Sequence, residues 1–313
     1  MSIEIRALQE LELPEADHIF RRAFGTFVGL PDPQLFGGDS DYVRTRWRAD
    51  PSSTFAALRD RELLGSNFLC RWGSFGFFGP LSVRPELWNA GIAKQLLVAT
   101  MERFESWRLP HTGLFTFAES PKHIGLYQRF GFYPRFLTPI MAKSVTAGAP
   151  LRATDQFSGL PTDARAACLK DCAAITGSLL DGLDVGSEIR AVQKQALGDT
   201  LLLDESGTLR GLAVCHVGSG TEAGSGVCYV KFAAVRPGPQ AAAEFERLLD
   251  LCERYAAARG VGQLVAGVNA AREGAYRAML GHGFRTFIQG VAMQRPNEAG
   301  YNRPEVFAID DWR

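Results

Sequence analysis

The sequence has no excess of charge of either sign and no long apolar run. Its 34 Lys and Arg residues balance 34 Asp and Glu residues, so no overall field draws the chain to nucleic acid or to an anionic membrane. No apolar stretch approaches the roughly 18 residues of a membrane span, and charges interrupt the region where a secretory signal would need an apolar run. We therefore expect a cytoplasmic protein with no nucleic acid and no membrane as partner.

Cysteine pairs at metal-binding spacing are also missing. The six cysteines never form a CxxC pair, and most lie inside apolar runs, which argues against structural zinc and against a disulfide framework. We expect buried thiols and no metal site. What remains, with 46% hydrophobic and 22% charged residues, is the composition of an ordinary globular protein. Its 313 residues favour two domains.

Apolar periodicity predicts a mixed α/β unit in the first half of the chain. Gly79 and Pro80 lie inside one predicted strand and indicate a bulge there. A Pro-, Gly- and Asp-rich segment predicts a loop that lines a site. The predicted strands are 3–8, 54–58, 63–71, 75–83, 114–118 and 136–142, the helices are 14–24, 91–107 and 120–130, and the loop is 29–41. Small residues over 146–153 predict a boundary between domains 1–145 and 151–313.

An internal repeat relates the two halves. Three short strings recur 152 positions later without a gap: Val83-Arg84-Pro85 as Val235-Arg236-Pro237, Leu96-Leu97 as Leu248-Leu249, and Gly131-Phe132 as Gly283-Phe284. Upstream, Gly65 matches Gly211 at an offset of 146, so the second copy carries about six extra residues before its Val-Arg-Pro string. The repeat predicts two copies of one α/β unit.

Two motifs of the first copy point to chemistry. The strand that ends at Val83 is followed by a turn into a helix with Gly91 and Ala93 at its start, an arrangement in which free amide N–H groups can hold a phosphate. Close packing of the helix on its strand would explain the same small residues. Further on, Tyr127 precedes Gly131-Phe132 at the end of a helix, where its phenol can face a cleft and donate a proton or merely pack in the core.

Together these motifs resemble the GNAT superfamily of acyl-CoA-dependent N-acyltransferases over most of residues 3–142. The resemblance implies two tandem GNAT-like domains, each a mixed, mostly antiparallel twisted sheet flanked by helices, with acetyl-CoA as co-substrate and Tyr127 as general acid. It also implies an acetyl-CoA site formed by Leu81, Ser82, Val83, Trp88, Asn89, Ala90, Gly91, Ile92, Ala93, Lys94 and Ser120. The sequence departs from the family pattern at Trp88, where Gln or Arg is common, and at Ser120, where Asn is common.

The base that deprotonates the amine is harder to assign. Many relatives use a Glu on the strand before the phosphate turn, but residues 75–83 contain no carboxylate. Glu119, at the end of the next strand, is the predicted base, and His123 is its rival. Asp39 and Asp41 could attract a cationic amine, and a water chain without a dedicated base is a further alternative.

The second copy departs from the motifs. At the offset of 152, Gly91 becomes Ala243, Ala93 becomes Phe245 and Tyr127 becomes Met279, which predicts a degenerate unit that does not bind CoA. This plan is similar to that of mycothiol synthase, except that here the intact unit is the N-terminal one, so that enzyme's substrate is not carried over.

Two functions remain open at this stage. One is an N-acetyltransferase that passes an acetyl group to a small amine by direct attack in a ternary complex. The other is a CoA-binding or protein-interaction module without turnover, which the missing strand carboxylate favours. The acceptor and the oligomeric state are not determined by these patterns.

Overall fold

The computed structural model describes residues 3–146 and 150–313. The domain boundary predicted at 146–153 includes residues 147–149, which lie outside the described residues. We call residues 1–145 the first unit and residues 151–313 the second unit. Among the described residues, no helix is long and apolar enough to cross a membrane.

Each unit contributes strands to a sheet and helices that cover it. The strands are β1 Glu4–Ala7, β2 Thr54–Arg59, β3 Glu62–Trp72, β4 Phe75–Phe78, β5 Ser82–Val83, β6 His111–Phe117, β7 Tyr133–Ser144, β8 Gly198–Glu205, β9 Thr208–Gly218, β10 Gly224–Val235, β11 Gln263–Gly267, β12 Arg285–Arg295 and β13 Ala308–Ile309. The helices are α1 Leu13–Phe27, α2 Tyr42–Ala49, α3 Ile92–Ser106, α4 Pro121–Gln128, α5 Thr162–Leu179, α6 Gly186–Gln195, α7 Ala241–Ala258 and α8 Glu273–Gly281.

The helices of the first unit form where the apolar spacing predicts them, with one addition. In α1, Ala16, Ile19, Phe20 and Ala23 are buried at helical spacing, so one face packs on the sheet. Helix α2 follows the predicted 29–41 loop and was not expected. Its start is fixed by Asp41, whose side chain accepts the Arg44 N–H at 2.8 Å.

The sheet is shared by the two units. Within the part of the chain that the structure describes, thirteen strands form one sheet whose main path is β1-β2-β3-β4-β6-β12-β7-β11-β10-β9-β8. One long strand of each unit therefore pairs with the other unit: β12 of the second unit lies beside β6, and β7 of the first unit lies beside β11. The sheet is mixed and mostly antiparallel, and two α/β units contribute to it, as the sequence predicts.

The offset of 152 holds in the strand register. In the first unit Phe75 of β4 pairs in parallel with His111 of β6. In the second unit, Val227 of β10 pairs in parallel with Gln263 of β11, and both members of that pair lie 152 positions later. The repeat therefore describes equivalent positions in space.

One hydrophobic cluster belongs to both units. Trp72 of β3 packs against Phe232 of β10, with ring centroids 5.4 Å apart, and the cluster also contains Ile175 of α5 and Ile189 of α6. Burial of such large side chains is the main favourable contribution to folding. Because the cluster and the sheet both cross between the units, neither unit can separate without exposing apolar surface.

Candidate functional site

The first unit has an open strand edge where the sheet splits. Strand β4 ends at Phe78, and after Gly79 and Pro80 the chain continues as β5, which pairs only with β3 in the described structure. The break agrees with the bulge predicted for residues 75–83. It leaves residues 81–83 beside β6 without a strand partner on that side, so the backbone there is free to bind an extended ligand.

The predicted phosphate turn lies next to this edge. Gly91 has a φ of 81° and Asn89 has a φ of 71°, and α3 begins at Ile92. The left-handed φ suits Gly at position 91, and the first amide N–H groups of α3 have no acceptor within the helix. The Trp88 indole N–H donates to the Val83 carbonyl at 2.9 Å. Trp88 thus ties the turn to the strand end and does not obstruct it.

A cavity of about 1000 Å³ joins the edge, the turn and the helix that carries Tyr127. Of the residues predicted to bind the cofactor, all but Ala90 line this cavity: Leu81, Ser82, Val83, Trp88, Asn89, Gly91, Ile92, Ala93, Lys94 and Ser120. Lys122 and Arg129 line the cavity as well. Together with Lys94 they give the cavity wall positive charge, which suits phosphate. The loop predicted over 29–41 contributes Phe36, Gly37 and Ser40 to the wall.

Tyr127 lies on α4 and lines the same cavity. Its ring meets the Phe78 ring edge to face at 5.7 Å, and burial raises the pKa of the phenol above its usual value, so the hydroxyl keeps its proton at neutral pH. The neighbouring Ser120 caps α4, with its Oγ accepting the His123 N–H at 3.4 Å. The group needed for a general acid is therefore present in the cavity.

The candidate bases differ in position. Glu119 is exposed and is not among the described residues that line the cavity. His123 lines the cavity beside Phe27, with ring centroids 4.9 Å apart. Burial, with a contribution from Lys122, lowers the pKa of His123, so its imidazole is neutral at pH 7 and can accept a proton.

Asp39 and Asp41 have structural partners. The carboxylate of Asp39 accepts the Ser225 N–H at 2.8 Å and also its hydroxyl, and Asp41 caps α2. Neither residue is among the described residues that line the cavity. In the same described part of the chain, no group of three or more His, Cys, Asp or Glu residues could hold a metal ion.

The cavity wall also includes residues of the second unit, which the sequence did not reveal. The six extra residues of the second copy lie in the β9–β10 hairpin, whose tip docks on the loop before α2. The Asp41 N–H donates to the Thr221 carbonyl at 2.8 Å, and the Gly220 N–H donates to the Asp39 carbonyl at 3.0 Å. The change of offset from 146 to 152 indicates that this hairpin is longer than its equivalent in the first unit. It does not indicate that the hairpin reaches the cavity.

The hairpin also brings Glu222 to the cavity wall. Arg46 Nε and Nη2 each lie 3.0 Å from a Glu222 oxygen, and Lys231 Nζ lies 2.8 Å from Glu222 and 2.9 Å from Glu188. Burial alone would raise the pKa of Glu222, but Arg46 and Lys231 outweigh it and hold the pKa below its usual range. Glu222 is therefore an ionised, paired carboxylate and a poor base.

The equivalent edge in the second unit is occupied by the chain itself. Strand β13 pairs Ile309 with Ala233 and Ala308 with Ala234. At the offset of 152, Ala233 and Ala234 correspond to Leu81 and Ser82, and the Val235 N–H donates to the Phe307 carbonyl at 3.2 Å. The edge that forms part of the predicted acetyl-CoA site in the first unit is therefore covered in the second.

The turn of the second unit is different as well. Helix α7 already begins at Ala241, so Ala243 is its third residue and does not form a left-handed turn. The buried ring of Phe245 packs against Phe307 at 5.5 Å, and Met279 is buried. In the second unit, side chains and backbone thus occupy the region that corresponds to the predicted acetyl-CoA site of the first unit.

The segment that covers this edge, residues 308–313, is anchored by Arg272, and its last residues line the first unit's cavity. Arg272 is fully buried and forms an ion pair with Asp310, with Nη2 and Oδ1 3.0 Å apart. Trp312 and Arg313 follow and line the cavity. The Arg313 guanidinium lies 4.1 Å from the Tyr229 ring centroid, and the Arg313 carbonyl accepts a hydrogen bond from Arg46.

Comparisons with known proteins agree with this architecture. Residues 14–132 match the model of the acetyltransferase (GNAT) family, whereas no curated protein matches the sequence. A proposed acetyltransferase from Pyrococcus horikoshii has a similar structure, with a TM-score of 0.69, 13% identity, and coverage of 99% of this chain and 95% of that one.

Two further structures are similar, and at such identities the likeness concerns the fold. A GCN5-related N-acetyltransferase from Sphaerobacter thermophilus has a TM-score of 0.58 at 16% identity, with 94% of this chain and 95% of that chain covered. One from Anabaena variabilis has a TM-score of 0.52 at 13% identity, with 94% and 72% covered. The first unit is therefore a domain of the acetyltransferase (GNAT) family of acyltransferases, and the whole chain is built from two units of that fold.

Proposed function

We propose that the protein is an N-acetyltransferase that transfers the acetyl group of acetyl-CoA to the amine of a small acceptor. The observation that carries this proposal is the contrast between the two units. The strand edge and the glycine turn open onto a cavity in the first unit, while the second unit covers the equivalent edge with β13. Residues 1–145 would bind acetyl-CoA and perform the chemistry, and residues 151–313 would be a degenerate unit.

Acetyl-CoA would lie along the open edge as a co-substrate. The amide N–H groups at the start of α3, from Gly91 onward, would hold its pyrophosphate, with Lys94 nearby. The pantetheine arm would pair with the backbone of Leu81, Ser82 and Val83. Amide groups near Val83 would then polarise the thioester carbonyl, as an oxyanion site does.

Transfer would proceed by direct attack in a ternary complex. The nitrogen of a neutral amine attacks the thioester carbonyl carbon, a C–N bond forms, and the C–S bond breaks with its electron pair going to sulfur. Tyr127 protonates the departing thiolate. Its phenol suits this role because burial keeps it protonated.

The amine must lose a proton before or during attack. Glu119 and His123 are the two proposed acceptors of that proton, and their positions relative to the cavity distinguish them. His123 lines the cavity and has a lowered pKa, which supports it, whereas a role for Glu119, which is exposed, would require water to carry the proton.

A module that binds CoA without turnover is the second candidate, because β4 and β5 carry no carboxylate. Thermal-shift measurement with acetyl-CoA and a thiol-release assay over a panel of amines separate the two. Stabilisation together with thiol release is the result expected for the acetyltransferase. Stabilisation with no thiol release across the panel supports the module, and no stabilisation by acetyl-CoA overturns both.

A further inference from the structure

The cavity that Tyr127 lines includes a chamber walled largely by aromatic and branched apolar side chains. We call it the acceptor chamber. The first unit contributes the rings of Phe24, Phe27, Phe36 and Phe117, and the second unit contributes Val227, Val265, Phe287, Ile288 and Trp312. Neither unit alone encloses this chamber, since the second unit contributes to its wall through the shared sheet, the β9–β10 hairpin and the segment after β13.

The rings of the first unit form a continuous wall. Phe36 lies 5.4 Å from Phe24, Phe24 lies 6.3 Å from Phe117, and Phe117 lies 5.0 Å from Phe27, measured between centroids. Phe36 follows a short turn of 3-10 helix in the loop before α2, and its neighbour Leu35 is 69% exposed. An apolar ligand group placed against this wall would leave water for a surface that offers it close contacts.

The charges of the chamber are already paired. Glu222 is the one acid among the described residues that line the cavity, and Arg46 and Lys231 occupy its carboxylate. Arg313 pairs with Asp311, with Nε and Oδ1 3.4 Å apart, and stacks on Tyr229. A ligand with a second charged group would lose hydration there without finding an opposite charge that is not already engaged.

We propose that the acceptor is a primary amine carried on an aromatic or branched apolar body that bears no other charged group. This inference rests on the proposed function and names its acceptor class. The amino group would point toward Tyr127 and the acetyl thioester, and the apolar body would lie against Phe36 and Phe117. Polyamines and acidic amino acids are excluded as preferred acceptors.

The test measures binding separately from turnover. Isothermal titration of the CoA-saturated protein with 2-phenylethylamine, spermidine and glutamate compares the three classes at one pH and salt concentration. We expect 2-phenylethylamine to bind about 10- to 100-fold more tightly than the other two, as burial of one ring suggests. Equal or tighter binding of spermidine or glutamate overturns the inference.

A matched pair of variants places the ligand in the chamber. Phe36→Ala should weaken 2-phenylethylamine binding about tenfold or more, with CoA affinity unchanged. Leu35→Ala, at the adjacent exposed position, should change neither. If Phe36→Ala leaves amine binding as it was while its melting temperature shows a folded protein, the chamber is not the site. If that variant fails to fold, the comparison of the three ligands on the unaltered protein decides.

The two proposals fail in different ways. Absence of CoA binding overturns the proposed function. Tight CoA binding with thiol release from spermidine, but not from 2-phenylethylamine, keeps the acetyltransferase and overturns the acceptor class.

Discussion

Thr138 of β7 and Gly290 of β12 face each other across the central antiparallel strand pair, and they are equivalent residues of the two units, 152 positions apart. Equivalent residues can pair in this way only near an approximate twofold axis. The axis relates the first unit to the second, and β7 and β12 each cross it to pair with a strand of the other unit. The repeat therefore produces one sheet, in which the strand edge at residues 81–83 is open and the equivalent edge of the second unit is covered by β13.

The shared sheet predicts that both units unfold together. Phe245→Ala, in the core of the second unit, should cost about 3–5 kcal/mol of unfolding free energy. Four of the five tryptophans lie in the first unit, so tryptophan fluorescence in a urea titration should show the same lowered midpoint as circular dichroism. Leu280→Ala, at a partly exposed position, is the control. A fluorescence midpoint that stays in place while the circular dichroism shifts would contradict a single cooperative unit.

The glycine turn gives a prediction with a control built into the repeat. Gly91→Phe should abolish binding of acetyl-CoA, because a phenyl ring would stand over the amides at the start of α3 and the left-handed φ disfavours any side chain. Ala243→Phe alters the equivalent position of the second unit, which is exposed inside α7, and should leave the affinity unchanged. Calorimetric titration of both variants with acetyl-CoA measures this. Binding by Gly91→Phe at the original affinity would remove the turn from the site.

Tyr127→Phe tests the proposed acid. Loss of the phenolic proton should lower kcat about 100-fold or more, with little change in the affinity for acetyl-CoA, because the ring still packs on Phe78. Tyr276→Phe, on α8 of the second unit, serves as control and should keep full activity. Steady-state thiol release measures both variants, and full turnover by Tyr127→Phe would end the assignment.

The pH profile separates the two candidate bases. A histidine base must be neutral to accept a proton, and burial lowers the pKa of His123 below about 6.5. At saturating amine, the acidic fall of kcat should therefore come only as the pH drops through that lower value. His123→Gln should lower the rate and remove this acidic limb, while Glu119→Gln should keep both the rate and the limb. The opposite pattern would assign the base to Glu119, and an unchanged profile in both variants would favour a water chain.

Substitution of Arg272 tests whether its ion pair with Asp310 holds the segment that covers the edge of the second unit. Arg272→Met leaves the carboxylate of Asp310 buried without its partner and should destabilise the fold by about 3–5 kcal/mol. The double variant Arg272→Met/Asp310→Leu removes both charges and should recover most of the loss. Urea unfolding measures the three proteins. Equal destabilisation in the single and double variants would mean that the pair itself is not what holds the segment.

Local patterns were sufficient for most helices and strands of the first unit and for the turn and strand break that border the cavity. The glycine turn, the strand break at Gly79 and the helix with Tyr127 depend on residues close in sequence, where φ preferences and apolar spacing act directly. The missed helix α2 is short and polar on average, so periodicity gave little signal there. The placement of Glu119 illustrates the limit of prediction from local sequence. Whether a carboxylate at a strand end faces a cavity depends on residues far away in the chain.

The sequence by itself determined that two related α/β units occur, that only the first keeps the glycine turn and the phenol, and that no net charge directs the protein to a polyanion. Only the tertiary structure decided that the units share a sheet, that β13 covers the edge of the second unit, and that the acceptor chamber draws on both units. The physical reason is that a turn or a helix start is specified by local conformational energies. Strand exchange and cavity walls instead depend on which distant apolar surfaces and backbone edges find one another.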